Sequence, residues 1–299
     1  MGVGRFCAGV MEIGQRNAAV DIQVTDLTYA YGRTVVLKNV HFTLRPARIY
    51  GLIGENGSGK TTLLSLLAGI LRPRSGQLEH VRQPGLLLQG TGFYDNLSVR
   101  DNLRLFALEA GISGLTIEAV LEFTGYPPER YETPYRVLSQ GYKQRLAIAR
   151  SFLTDGNLIL LDEPFTAVDL PTIRSLKKAI LDYVHATGKT VLISSHQLRE
   201  VSDLLDGTLI LRDGAVEAVE NHPEHATGHT VYLSFAGDEE VITKLTGNSS
   251  LRVIRNVDNT FELELSGESN LGELLAWTES QGLQWTRIER YPPLEFLLP

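Results

Sequence analysis

The chain has 299 residues, 43% of them hydrophobic, and a formal net charge of −7. That much apolar material builds one large core or two moderate ones and excludes a disordered chain, and the lack of any basic run argues against a nucleic-acid footprint. Its single cysteine, Cys7, excludes an internal disulfide and a multi-cysteine metal site.

In chain order, residues 1–18 carry two arginines and a weak apolar stretch without a sustained signal-peptide core, and read as a flexible leader with Met11 as a second candidate start. Residues 21–44 show β-rich alternation around a turn at Tyr31-Gly32-Arg33, which predicts a hairpin of an antiparallel subsheet. Tyr29 and Tyr31 lie two apart, so they share a face of an extended segment and offer a ring to a purine. A short apolar strand at 49–53 follows.

Directly behind that strand stands Gly54-Glu55-Asn56-Gly57-Ser58-Gly59-Lys60-Thr61-Thr62. Glycines permit the backbone angles that turn successive N–H groups inward around an anion. Lys60, Thr61 and Thr62 open a helix through Leu63, Leu64, Leu66 and Leu67, whose positive dipole end faces the same point. The pattern is a phosphate cradle for a nucleoside triphosphate, with Lys60 reaching the terminal phosphates and the Thr61 hydroxyl reaching Mg²⁺.

Helical periodicity dominates 98–152, with breaks at Gly111, Gly125 and Pro127-Pro128, and predicts an inserted helical lobe. Residues 158–161 form an apolar run ending in Asp162-Glu163-Pro164, as expected of a central parallel strand buried on both faces. Pro164 stops that strand because it cannot donate to the ladder. A helix over 171–187 leads to a further buried strand, 190–195, which ends at His196. Ligands of open α/β sheets sit beyond the carboxyl ends of strands, so Asp162, Glu163 and His196 are expected beside the phosphates. Asp162 is then a metal ligand, Glu163 polarises an attacking water, and His196 contacts the terminal phosphate.

The tail is expected to begin near Ala215, after the turn Arg212-Asp213-Gly214. From Ala226 to Pro299 there are 11 acidic and 5 basic residues, a separate composition. Its pattern reads strand (231–235), helix (238–245), strand (251–257), strand (261–265), helix (271–281) and strand (285–288). The β-α-β-β-α-β order predicts a small ferredoxin-like α+β domain. No apolar run approaches the ~18 residues of a membrane span, and the stretch 63–71 is broken by Ser65 and Gly69.

The ordered motifs over about 20–213 resemble those of the ATP-binding cassette (ABC) ATPases. Tyr31 before Gly32 is similar to the family's adenine-stacking aromatic residue. Residues 54–62 match its Walker A loop, and Gln89 looks like the glutamine that links Mg²⁺ and the attacking water to the helical lobe. Leu138-Ser139-Gln140-Gly141-Tyr142 resembles the signature, usually LSGGQ, with Gln140 and Tyr142 departing from it. Asp162 and Glu163 fall at the Walker B ligand and catalytic glutamate, Asp169 at the dimer-contact loop and His196 at the switch histidine.

The resemblance implies an α/β phosphate-loop core with an antiparallel β-subdomain, and hydrolysis of ATP with Mg²⁺ held by Thr61, Gln89 and Asp162. It implies a catalytic set of Glu163, His196, Gln89 and Lys60. It further implies a second copy, head to tail, whose Ser139 and Gly141 complete the nucleotide site. The stroke would then pass to a separate transmembrane permease through the groove beside Gln89 and the segment 92–101, at the inner face of a cell membrane. The domains expected are the leader 1–18, an ABC ATPase domain over 19–218 and an accessory domain over 226–299. Pro292-Pro293-Leu294-Glu295 resembles the ending of drug, lipid and polysaccharide exporter cassettes, which makes an exporter the leading reading. A soluble cassette ATPase acting on a protein complex or the ribosome is the alternative, although ribosome-acting members usually carry two cassettes in one chain.

Overall fold

The computed structural model describes residues 20–88, 92–112, 117–166, 168–196, 201–220, 229–235, 241, 244–245, 251–257, 260–265, 271–283 and 285–289. They divide into two compact units, Met1–Glu220 and Asn221–Pro299.

The first unit begins with β1 (Ile22–Tyr31) and β2 (Thr34–Leu44), which pair antiparallel through the turn at Gly32. With β4 (Ser75–Glu79) on the other side of β1 they form a three-stranded antiparallel sheet. The predicted alternation holds: Ile22, Val24, Leu27, Leu37, Val40, Phe42 and Leu44 turn inward and are buried. The Lys38 amide donates to the Gly214 carbonyl at 2.7 Å, tying this sheet to the next.

That next sheet has six strands in the order β5-β6-β7-β3-β8-β9. They are β3 (Ile49–Ile53), β5 (Gly85–Leu87), β6 (Leu158–Asp162), β7 (Thr190–Ser195), β8 (Gly207–Arg212) and β9 (Ala215–Glu220). The first five are parallel and β9 returns antiparallel to β8. Every residue of β3, β6 and β7 is buried, which explains why their sequences are runs rather than alternations. Ala215 therefore opens the last strand of this sheet and not the tail, a correction to the reading of the turn Arg212-Asp213-Gly214 as the boundary. β9 is defined by its pairing with β8 across that turn, and the charge shift counted from Ala226 falls after this strand.

Helix α1 (Lys60–Leu67) packs on β6. The lobe between β5 and β6 holds α2 (Val99–Glu109), α3 (Ile117–Phe123) and α4 (Gln140–Phe152), in mutual contact, with α4 also against β5 and β6. Helix α5 (Leu170–Thr187) buries Ile173, Leu176, Ala179, Ile180, Tyr183 and Val184, one apolar face at helical spacing, and stops at Gly188, which is left-handed at φ 68°. The Tyr183 ring stacks on Phe152 at 4.0 Å and its hydroxyl donates to the Phe152 carbonyl, fastening the lobe to α5.

Beside this joint lies Lys189, only 3% exposed, whose ammonium donates to the Thr154 carbonyl. Burial pushes its pKa down to about 8 despite the attraction of Asp155. The unfolded lysine titrates near ~10.4, so between these two values the unfolded chain holds the extra proton and stability rises with pH. Below pH ~8 both states are charged and the cost of burial is fully present. Urea unfolding of the wild type should gain up to about 3 kcal/mol between pH 8 and pH 10.5 from this group, a rise that Lys189→Met should lack.

The second unit has a four-stranded antiparallel sheet in the order β11-β12-β10-β13, built from β10 (His229–Phe235), β11 (Leu251–Val257), β12 (Thr260–Leu265) and β13 (Trp285–Glu289). Helix α6 (Leu271–Ser280) lies between β12 and β13 in the chain, and Val241, Lys244 and Leu245 are helical between β10 and β11. Leu233, Phe235, Val241, Leu245, Phe261, Leu263 and Leu274 make its core.

Candidate active site

The register of the parallel strands assembles the site. Leu52 of β3 pairs with Ser194 of β7, and Ser194 pairs with Asp162 of β6. Just past this row the chain reaches Gly54, Glu163 and His196, so three strand ends meet on one edge.

The loop after β3 is shaped by close approach and by backbone angle. A Cβ on Gly54 would sit 2.6 Å from the Leu211 carbonyl, and Gly59 holds φ 109° with Val36 against it. Only glycine fits both places. The Lys60 ammonium, 7% exposed, donates to the Gly54 carbonyl at 2.7 Å and the Glu55 carbonyl at 3.0 Å, which curls the loop around it. Burial lowers its pKa, while the carboxylates of Glu163 and Asp162 pull it back up. Asn56 and Gly57 are exposed at the rim, and Thr62 is buried in the first turn of α1.

Asp162 is 4% exposed and accepts two hydroxyl hydrogen bonds, from Thr61 Oγ1 to Oδ2 at 2.9 Å and from Ser194 Oγ to Oδ1 at 2.5 Å. Glu163 follows with a left-handed φ of 49°; its amide donates to the Ser194 carbonyl at 3.2 Å and to Ser194 Oγ at 3.0 Å. This turn aims the Glu163 carboxylate at His196, with Oε2 2.9 Å from Nδ1. The site thus offers a cation under the loop, a carboxylate with two hydroxyls, and a carboxylate paired with an imidazole.

Two features fit a nucleotide with a divalent ion. Ser58 Oγ is a buried hydroxyl without a hydrogen-bond partner inside the cradle, an orphan that a phosphate oxygen would satisfy. The donors near Thr61 are all oxygen, which suits a hard cation such as Mg²⁺. Among the described residues no cluster of three or more His, Cys, Asp or Glu could hold a metal.

At the β1–β2 turn, Tyr31 is 53% exposed and meets Tyr29 edge-on at 5.0 Å, so one tyrosine braces the other and leaves a ring face open. Arg74 holds the turn beneath it, with its guanidinium donating to the Gly32 carbonyl and its amide to the Thr28 carbonyl. Ser139 and Gln140 are exposed at the start of α4. Ser139 occupies the N-cap position, but its side chain makes no capping hydrogen bond. Gly141 lies about 4.0 Å, measured from an ideal Cβ, from an Asp169 carboxylate oxygen. Tyr142, at the position of the usual Gln, is covered by the Arg130 guanidinium at 4.6 Å and by Tyr126 at 5.3 Å. Gln89 lies outside the described residues. The segment from Tyr94 to Ser98 is ordered by the fully buried Asn102, whose amide donates to the carbonyls of Tyr94, Leu97 and Ser98.

The sequence points to none of the roles of Ser194, Arg74 and Asn102, nor to the bond that Gln144, next to the signature, donates to the Pro164 carbonyl. Ser194 alone had a usable signal, a hydroxyl on an apolar strand two residues before His196.

The family model described as ABC transporter matches residues 37–166. The chain is 36% identical over 208 residues to the bacitracin transport ATP-binding protein BcrA of Bacillus licheniformis, covering 64% of this chain and 67% of that one. The chain belongs to the ABC transporter family, among its ATP-binding proteins. The match with the Nod factor export ATP-binding protein I of Ralstonia nicotianae, 28% identical, covers 91% of this cassette protein and 90% of that one. A solved ATP-binding subunit of an ABC transporter superposes with a TM-score of 0.57 at 25% identity, covering 68% of this chain and 90% of that one. The matched segment contains the phosphate loop, residues 138–142 and Asp162-Glu163, while His196 lies beyond it. Among the described residues no helix is long and apolar enough to cross a membrane.

Proposed function

We propose that this ABC protein is the ATP-hydrolysing subunit of an exporter, working at the inner face of a membrane on a separate transmembrane permease. The observation that carries hydrolysis is the Glu163–His196 contact of 2.9 Å beside an Asp162 already hydrogen-bonded to Thr61. Glu163 takes the proton of the attacking water, His196 orients that carboxylate and contacts the terminal phosphate, and Lys60 neutralises phosphate charge. Thr61 and Asp162, with Gln89, would hold Mg²⁺, which when bound neutralises charge on the phosphates. Tyr31 stacks on the adenine, and Gly54 to Thr62 surround the phosphates.

Ser139 and Gly141 serve the nucleotide of a second copy. The exposure of Ser139, and its lack of a capping bond, support that assignment. The segment 92–101, stiffened by Asn102, meets the permease. The order β13-β10-β12-β11 with a helix after β12 supports a ferredoxin-like reading of the accessory domain over 226–299, following the ATPase domain over 19–218. Export is favoured by a relative that carries that word in its name and matches across the tail as well as the cassette.

A tagged chain expressed in its native host should co-purify from detergent-solubilised membranes with a polytopic membrane protein, in a complex that hydrolyses ATP. Recovery with ribosomes alone, and none with membranes, would overturn the exporter reading.

A further inference from the structure

The φ of 49° at Glu163 is a conformation that a residue with a long side chain holds only when its surroundings impose it. One constraint is Ser194, next to the last residue of the fully buried β7, which receives the Glu163 amide. Another is the Thr166 amide on the Glu163 carbonyl at 3.3 Å, a bond that closes the turn upon itself. The third comes from a different element: Gln144 Nε2 donates to the Pro164 carbonyl at 2.6 Å.

Gln144 sits in the second turn of α4, whose exposed start carries Ser139 and Gly141. Arg145 on the same turn donates to the Thr124 carbonyl at 3.1 Å and to Ser175 Oγ at 3.0 Å, so this end of α4 is wired to α3 and α5 as well. Of the two elements that hold the Glu163 turn from outside, β7 is locked in the sheet, while α4 presents its first residues at the surface. A contact made at that surface would displace the Pro164 carbonyl through Gln144.

We propose that Gln144 is a positioning residue for Glu163, transmitting engagement of Ser139 and Gly141 by a second copy to the carboxylate of its own chain. The inference rests on the reading of Glu163 as the base. Occupancy of one site then sets the geometry of the other through a single amide hydrogen bond, and misplacement of a base by about 1 Å is enough to cost about 10²-fold in rate.

The test compares the full-length Gln144→Glu, which keeps the shape and loses the donor, with Gln144→Lys, which keeps a donor of similar reach. Glu163→Gln is measured in parallel. Gln144→Glu should lower kcat about 10- to 100-fold with KM for ATP and fluorescent-nucleotide affinity within about twofold, and Gln144→Lys should recover most of the loss. In a Glu163→Gln background, Gln144→Glu should produce no further fall in single-turnover rate. Where Gln144→Glu fails to fold, Gln144→Met provides the same loss of donor without a charge.

A kcat within twofold of wild type while Glu163→Gln is impaired would overturn the coupling and leave the base assignment standing. So would an additive loss in the double variant, or parallel losses in binding and turnover. If Glu163→Gln itself retained full turnover, the base reading would fail first and the coupling with it.

Discussion

Replacing Glu163 by Gln should reduce ATP turnover by roughly 10²- to 10⁴-fold while leaving nucleotide binding close to wild type. The substitution is nearly isosteric, and the amide can still meet His196, so the turn held by Ser194 and Gln144 has no reason to relax. What disappears is the capacity to take a proton. ATP should then persist in the site, and under the proposal that a second copy completes it, a dimer should accumulate on size exclusion with ATP and disappear with ADP. Phosphate release measured beside that chromatogram checks both halves of the expectation. Unchanged turnover would remove Glu163 from the chemistry.

Lys60→Ala should act earlier, on binding, and weaken nucleotide affinity by roughly 10²-fold or more in a fluorescent-nucleotide titration, since hydrogen bonds to charged groups contribute about 1.5–3 kcal/mol each. Lys60 lies at the centre of the loop, bonded to the Gly54 and Glu55 carbonyls and attracted by Asp162 and Glu163. Its removal takes away the positive charge and the bonds that curl the loop together. The rest of α1 is anchored by Leu63, Leu64, Leu66 and Leu67, all buried, so the unfolding midpoint should move far less than the affinity. An affinity within about threefold of wild type would mean that the backbone cradle suffices without the lysine.

The signature region shows how a departure from a familiar pattern is absorbed. Gln140 is exposed, where a side chain meets little of its own chain. Tyr142 occupies the place of a smaller polar residue, but its ring is enclosed by Arg130 and Tyr126, a cation–π and aromatic arrangement that fits its size. Ser139 and Gly141, the two residues assigned to a neighbouring nucleotide, keep their usual identities.

Much of the architecture could be read ahead of the structure because it is written locally. The strand over 158–162 is an uninterrupted apolar run, the hairpin over 22–44 alternates about a turn, and helix Leu170–Thr187 repeats its apolar face at helical spacing. The turn Arg212-Asp213-Gly214 reads as the end of the cassette, while the true place of the strand Ala215–Glu220 depends on hydrogen bonds to residues 207–212. The exposed side of the signature could be anticipated, whereas the enclosure of Tyr142 could not, since Tyr126 and Arg130 reach it only through the fold of the helical lobe.

By itself the sequence determined which chemistry is present: three glycines, a lysine and a threonine around a turn make a phosphate loop through backbone geometry within nine residues, and apolar runs bring carboxylates to strand ends. Only the tertiary structure decided which of these groups meet. Thr61 reaches Asp162 across 101 residues, Ser194 reaches Asp162 across 32, His196 reaches Glu163 across 33 and Gln144 reaches Pro164 across 20. Those meetings follow from the order and register of β6, β7 and β3 and from the docking of α4, which arise from pairing between distant segments and leave no periodic trace in any one of them.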